Sequence, residues 1–194
     1  MFHIRIHGRG GQGVVTAAEL LSVAAFFDGK YAQAFPSFGS ERMGAPVTAF
    51  CRMGDREIRS HEPVSYPNVV IIQDATLLSH VDVFSGLSQS GYILINSTQT
   101  LETLHVAEFC STLPEGHCCV IPVSEIAMHH LERPFMNTGL VAGFAKLTGA
   151  LSRQSVENAI QQTFPGRLGE LNIQIAAEVY EQKVSSTLSP KAII

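Results

Sequence analysis

The sequence predicts an α/β protein of three layers: a mostly parallel sheet with a Rossmann-like βαβ start, an appended antiparallel β-hairpin and C-terminal helices. Three observations carry this. An alternating stretch, residues 2–7, runs into Gly8-Arg9-Gly10-Gly11-Gln12-Gly13 and then into an apolar helical run. Short continuous apolar runs recur at residues 69–73, 92–96 and 118–123, the pattern of strands buried on both faces. From Asn137 onward the apolar spacing is helical.

Taken in order, residues 12–27 carry apolar side chains on nearly every face, and Ala17, Ala18, Ala24 and Ala25 are small enough for close packing on a sheet. Asp28-Gly29 ends this helix. Residues 31–35 resume as a second strand, expected to run parallel to the first because a helix separates them. The loop over residues 36–46 is long for an α/β connection and rich in Gly and Pro, and should face the glycine loop across a crevice. The alternative is a solvated surface loop, which would leave Phe35, Phe38 and Met43 in water. Residues 48–53 and 57–60 flank Gly54-Asp55-Arg56 and read as a β-hairpin. The strand at 69–73 ends at Asp74, residues 81–87 read as a short helix, and the strand at 92–96 ends in Asn96-Ser97-Thr98. Asp74 and Asn96 leave their strands on the crevice side and are site candidates, unless each only caps the helix that follows. Ser124 is expected to cap a helix over 125–131, and helices over 137–148, 152–164 and 168–184 complete a single domain, residues 1–184. Residues 185–194 form a tail, frayed or docked on a partner.

The glycine loop reads as an anion cradle, because its glycines allow close backbone approach and the first amides of the following helix lack partners. A phosphate or a carboxylate would suit it. The spacing also fits a dinucleotide fingerprint, but that needs an acid closing the second strand. Asp28 instead lies in the helix-to-strand turn. A purely structural turn is the third reading, although it has no use for Arg9 and Gln12.

Composition removes other classes. A formal net charge of -4, with no basic-aromatic stripe, excludes a nucleic-acid surface. No run is long enough to span a bilayer, since residues 14–27 are too few and contain Glu19, and a cytoplasmic location is expected. Cys51, Cys110, Cys118 and Cys119 form no CxxC, so the chain carries no iron-sulfur cluster of its own, and the thiols are expected to be reduced, buried and inert. The histidines stand singly apart from His129-His130, which lack helical-face partners for a metal.

Several longer segments resemble a known family. IRIHGRGGQGVVTAAELL from Ile4, DGKYAQAFPSFG from Asp28, SERMGAPVTAF from Ser40, PFMNTGLVAGFAKLTG from Pro134 and SVENAI from Ser155 together resemble the gamma subunits of pyruvate:ferredoxin oxidoreductase and related 2-oxoacid:acceptor oxidoreductases. The chain departs at Met43, where the family often has a second arginine, and keeps Arg42. The resemblance implies a complex that oxidatively decarboxylates pyruvate with coenzyme A, giving acetyl-CoA and reduced ferredoxin. It further implies partner alpha, beta and delta subunits that hold thiamine diphosphate, magnesium and 4Fe-4S clusters. This chain would then carry no metal and no catalytic residue and would line the coenzyme A and substrate approach. Gly8 to Gly13 would bind cofactor, Phe38, Gly39, Glu41, Arg42 and Gly44 would face the active site, and Asn137 would join Asp74 and Asn96 in a lesser role. A branched-chain or aryl 2-oxoacid enzyme is the related alternative, and a free-standing nucleotide-binding module the alternative of another class. The isolated chain is expected to be inactive, and to self-associate or behave poorly without partners.

Overall fold

The computed structural model describes residues 1–37 and 42–182. Strands β1 (Phe2–Arg9), β2 (Tyr31–Pro36), β3 (Pro46–Gly54), β4 (Val69–Ile72), β5 (Tyr92–Asn96) and β6 (Cys118–Ile121) form one sheet in the order β2-β3-β1-β4-β5-β6. Helices α1 (Val14–Phe27), α2 (Ala107–Cys110), α3 (Val123–Leu131), α4 (Asn137–Thr148), α5 (Arg153–Thr163) and α6 (Arg167–Glu181) accompany it, with a short 3-10 helix at Ala75–Ser79.

On one side of β1 the sheet is parallel: β4 pairs with β1, β5 with β4 and β6 with β5. On the other side β3 runs antiparallel to β1, from Phe2 opposite Met53 to Arg9 opposite Pro46, and β2 runs antiparallel to β3. Strand β2 therefore points the same way as β1, but the helical crossover encloses β3 instead of placing β2 beside β1. Burial explains the order. Residues Ala49 to Gly54 are all buried, as a central strand requires, whereas β2 keeps Tyr31 exposed and most of its length half-buried, which suits an edge.

An antiparallel hairpin is present, formed by β2 and β3. Its expected second arm at 57–60 is not a strand, because Glu57, Arg59 and Ser60 are exposed and offer no apolar face to pair inward. The chain after Gly54 folds back over the sheet instead. Arg52 donates to the Ser60 carbonyl at 3.1 Å and to that of Glu62, while Val64 packs with Phe35 and Phe50. Residues 81–87 are likewise turns and not a helix. They are held by Arg5, whose guanidinium donates to the Val64, Val83 and Ser85 carbonyls at 3.3, 3.0 and 2.5 Å.

The alternation in β1 divides the core. Ile4 and Ile6 join the large cluster on the helical face, where α1 and α4 meet the sheet and α5 and α6 pack over them. Arg5 and His7 point to the other face, whose apolar cluster is built from Val70, Ile72, Ile93 and Ile95 under α2 and the turns. Burial, then the nearby Arg5 charge, push His7 down to about 4, so the imidazole is neutral and its Nε2 accepts from Arg5 Nε at 3.1 Å.

Helix α1 ends in a tie to α5. Asp28 accepts hydrogen bonds from the Ser152 amide and hydroxyl, both at 2.7 Å, and from the Ser155 hydroxyl at 2.5 Å. The carboxylate in the helix-to-strand turn, which does not close the second strand, is thus a brace between helices. No helix among the described residues is long and apolar enough to cross a membrane.

Candidate functional site

The glycine loop begins while β1 is still paired with β3 and ends at Gly13, which adopts φ 72° and opens α1 without a side-chain cap. The first helical bond runs from the Ala17 amide to the Gly13 carbonyl at 3.0 Å. The helix therefore starts at Val14, two residues later than expected, because Gln12 and Gly13 are used by the turn. Uncapped amides and the positive end of the helix dipole collect at this point.

A second segment closes the loop from the β3 side. The Gly10 amide donates to the Ala45 carbonyl at 2.9 Å, and the Gly44 amide donates to the Gly10 carbonyl at 3.0 Å. Gly10 must be glycine, since a Cβ there would stand 2.2 Å from the Arg42 carbonyl oxygen. Gly11, at φ 91°, has the terminal methyl and sulfur of Met43 beside it, and Met43 is 86 % exposed. Arg42 and Gly44 thus lie next to the glycine loop, while Phe38, Gly39 and Glu41 lie outside the described residues.

Arg9 and Gln12 are built into one network. Arg9 Nε lies 3.2 Å from Asp74 Oδ2, its terminal nitrogens donate to Thr76 Oγ1 at 2.7 Å and to the Gly44 carbonyl at 3.0 Å, and its amide donates to Gln12 Oε1 at 2.8 Å. Gln12 Nε2 in turn donates to Asp74 Oδ2 at 2.8 Å. Asp74 also accepts from the Thr76 hydroxyl at 2.5 Å and amide at 3.0 Å, so it caps the 3-10 helix as well as bracing the loop. Burial opposes ionisation of Asp74, but the bonds from Thr76 and Gln12 and the Arg9 charge outweigh it and hold the carboxyl below its usual range. Arg9 is consequently a neutralised clamp, and its charge is compensated before any ligand arrives.

Behind the loop, the Asn137 amide nitrogen is placed to donate to the Gln12 and Gly13 carbonyls at 3.1 and 3.2 Å and lies 3.0 Å from the Gln73 amide. Asn137 thereby fastens the start of α4 to the glycine loop. Asn96 does not cap the segment after its own strand. Its Nδ2 donates to the Gln73 carbonyl at 2.9 Å and to Ser124 Oγ at 2.8 Å, and its Oδ1 accepts the Ser124 amide at 3.0 Å. Ser124 lies inside α3, whose cap position is Pro122, so the expected Ser124 cap is replaced by Asn96 acting from β5.

These elements surround a crevice of about 420 Å³ at the carboxyl ends of β4 and β5. Gly11, Gln12, Asp74 and Asn96 line it, and Gly8, Arg9, Gly10, Gly13, Arg42, Gly44 and Asn137 do not. Sequence reasoning missed Glu125, Phe135 and Met136 on its far wall, which arrive with α3 and the turn before α4. The charged residues of the described lining are Asp74 and Glu125, both acidic. Any anion seated here would rely on backbone amides. Among the described residues no three His, Cys, Asp or Glu side chains gather to hold a metal.

A mostly parallel sheet with a glycine loop opening onto a polar crevice at the carboxyl ends of its strands is the arrangement of an α/β protein that binds a ligand there. The chain belongs to the pyruvate ferredoxin/flavodoxin oxidoreductase family, whose model matches residues 3–182. It is 46 % identical over 182 residues to pyruvate synthase subunit PorC of Methanothermobacter marburgensis, covering 94 % of this chain and 97 % of that one. It is 45 % identical over 184 residues to the pyruvate/ketoisovalerate oxidoreductases common subunit gamma of Thermococcus litoralis, covering 95 % and 98 %. The crystal structure of pyruvate oxidoreductase subunit PORC from Thermotoga maritima superposes with a TM-score of 0.79 at 34 % identity, covering 95 % of this chain and 98 % of that one.

Proposed function

We propose that this chain is the gamma subunit of a pyruvate:ferredoxin oxidoreductase, and that its crevice receives part of coenzyme A during acetyl transfer. The observation that carries the reading is a match over 94–95 % of this chain to pyruvate synthase subunit PorC and to a common subunit gamma, joined to a polar crevice onto which Gly11 and Gln12 of the glycine loop open. Thiamine diphosphate, magnesium and the 4Fe-4S clusters would reside on the alpha, beta and delta subunits, and ferredoxin would accept the electrons. Bound there, thiamine diphosphate supplies the carbanion chemistry of decarboxylation. This chain's part is to shape the approach: the Arg9-Asp74-Gln12 network braces the loop, and Gly11 offers backbone to the ligand while the Gln12 amide is held by the Arg9 carbonyl. The acyl substrate is read as pyruvate. A branched-chain 2-oxoacid enzyme sharing the same gamma subunit is the second reading, favoured by the relative named as common to pyruvate and ketoisovalerate oxidoreductases.

The test uses Thr98→Glu in the assembled enzyme, because Thr98 is exposed on the crevice lining and its replacement leaves the core intact. A unit charge some 6 Å from a phosphate in the partly wet crevice costs about 1–2 kcal/mol, so the coenzyme A KM should rise about five- to thirtyfold. Retention of this subunit should not change. An unaltered KM with the subunit retained retires coenzyme A from the crevice, and loss of the subunit with an unaltered KM in the residual complex makes the crevice a seat for a neighbouring chain.

A further inference from the structure

The four cysteines fall into two pairs of different character. Cys51 and Cys119 are fully enclosed, and burial pushes their thiols up to about 12 and about 11, so both are inert. Cys110 and Cys118 both line a cavity of about 380 Å³ together with Leu101, Leu113 and Pro114. This cavity lies at the start of β6, the opposite end of the sheet from the crevice.

Local chain geometry brings the two residues to the wall of one cavity. Residues after α2 turn back at once, with Leu113 N bonded to the Cys110 carbonyl at 3.2 Å and His117 N to the Pro114 carbonyl at 3.1 Å, and the His117 ring stacks on Tyr92 with centroids 3.9 Å apart. That return sets Cys118 beside Cys110 within the same apolar cluster. The influence of the Cys118 side chain lowers Cys110 against the effect of burial, while that of Cys110 and then burial raise Cys118. One thiol is thus disposed to ionise while the other keeps its proton.

We propose that Cys110 and Cys118 form a modification site, a dithiol that small hydroperoxides oxidise to an intramolecular disulfide. The Cys110 thiolate attacks the peroxide and its O–O bond breaks, giving Cys110 sulfenic acid and an alcohol or water that carries off the Cys118 proton. The Cys118 thiolate then attacks the Cys110 sulfur, the S–O bond breaks, and water leaves. Overall two thiols and one hydroperoxide give one disulfide, one alcohol or water, and one water. A small neutral oxidant fits the half-apolar cavity, whereas bulky anionic disulfides meet Glu115 on its wall.

The test treats the assembled enzyme with hydrogen peroxide, alkylates the remaining thiols after unfolding, and maps peptides after cleavage at glutamate. Glu115 separates the two cysteines, so the disulfide links residues 109–115 to residues 116–125. The link should form about tenfold or more faster than any oxidation of Cys51 or Cys119, should disappear with dithiothreitol and should persist in Cys119→Ser. In Cys118→Ser, Cys110 should stop at a sulfenic acid that dimedone traps. Should that variant fail to fold, the map of Cys119→Ser decides, because residues 116–125 carry both Cys118 and Cys119. A link through Cys119, oxidation of Cys110 to sulfinic or sulfonic acid without a link, or full alkylation of both thiols at a dose that oxidises free cysteine overturns the proposal.

Discussion

Replacing Gly10 with alanine should destabilise this chain by about 3 kcal/mol, a large effect for one added methyl group. The added Cβ would meet the Arg42 carbonyl oxygen at 2.2 Å and its carbon at 2.9 Å, both backbone atoms that no rotamer change can move. Relief requires the 42–45 segment to withdraw, which breaks the Gly10 to Ala45 and Gly44 to Gly10 hydrogen bonds and pulls the Gly44 carbonyl from Arg9. Two backbone bonds at about 0.5–1.5 kcal/mol each and a charge-assisted bond at about 1.5–3 kcal/mol sum to roughly 2.5–6 kcal/mol, and partial relaxation brings the figure to the lower half of that range. Gly44→Ala is the comparison. Its φ of 76° disfavours a side chain, but the space around it is open, so it should cost only about 1 kcal/mol. Urea unfolding followed by circular dichroism reads both. If Gly10→Ala lies within about 0.5 kcal/mol of wild type, or costs less than Gly44→Ala, the bridge between the glycine loop and the 42–45 segment is not what holds the loop.

Two further outcomes follow from the buried His7 and the half-buried Asp28. His7 titrates near 4 when folded and near 6.5 when unfolded, so the unfolded chain binds the extra proton between those values. Its contribution is fully present above pH 6.5 and lost as pH falls towards 4, about 3 kcal/mol in all; His7→Asn should flatten that part of a stability-pH profile, and an equally steep profile in the variant would refute the assignment. Asp28→Ala removes three acceptor contacts at the start of α5 and should lower stability by about 1–2 kcal/mol, with hydrogen exchange accelerated first in α5. Uniform acceleration across all helices would count against a local brace.

What could be read from the sequence was what lies close along the chain. The apolar runs gave β4, β5 and β6 to within a residue or two, and Ser152 announced the start of α5, because strand burial and helix capping are local signals. The position of β3 was not legible. Whether a strand after a long loop pairs outward or inserts beside β1 depends on which strand buries both faces, and that is decided by residues far apart. The site shows the same division. Glycine spacing marked the loop, but the partner of Arg9 is Asp74, and no pattern within the loop indicates that its cation is already engaged. Asn96 capping Ser124 and Asn137 fastening the glycine loop are likewise contacts between distant segments. All four cysteines are buried, as expected, and that Cys110 and Cys118 share one cavity depends on the turn that follows α2.

The insertion of β3 bears on how the chain is made. Strands β1, β2 and β3 and helix α1 all lie within the first 54 residues, and the segment that bridges Gly10 lies there too. During synthesis from the N-terminus, this antiparallel trio can close before β4 emerges, and the glycine loop acquires its backbone clamp before Asp74 is translated. The slower parallel pairings, β4 on β1 and then β5 and β6, add to an edge that is already registered. A nascent chain stalled shortly after β3 would display β1 as an open edge, and that exposed strand is where a chaperone holding the unfinished subunit would bind.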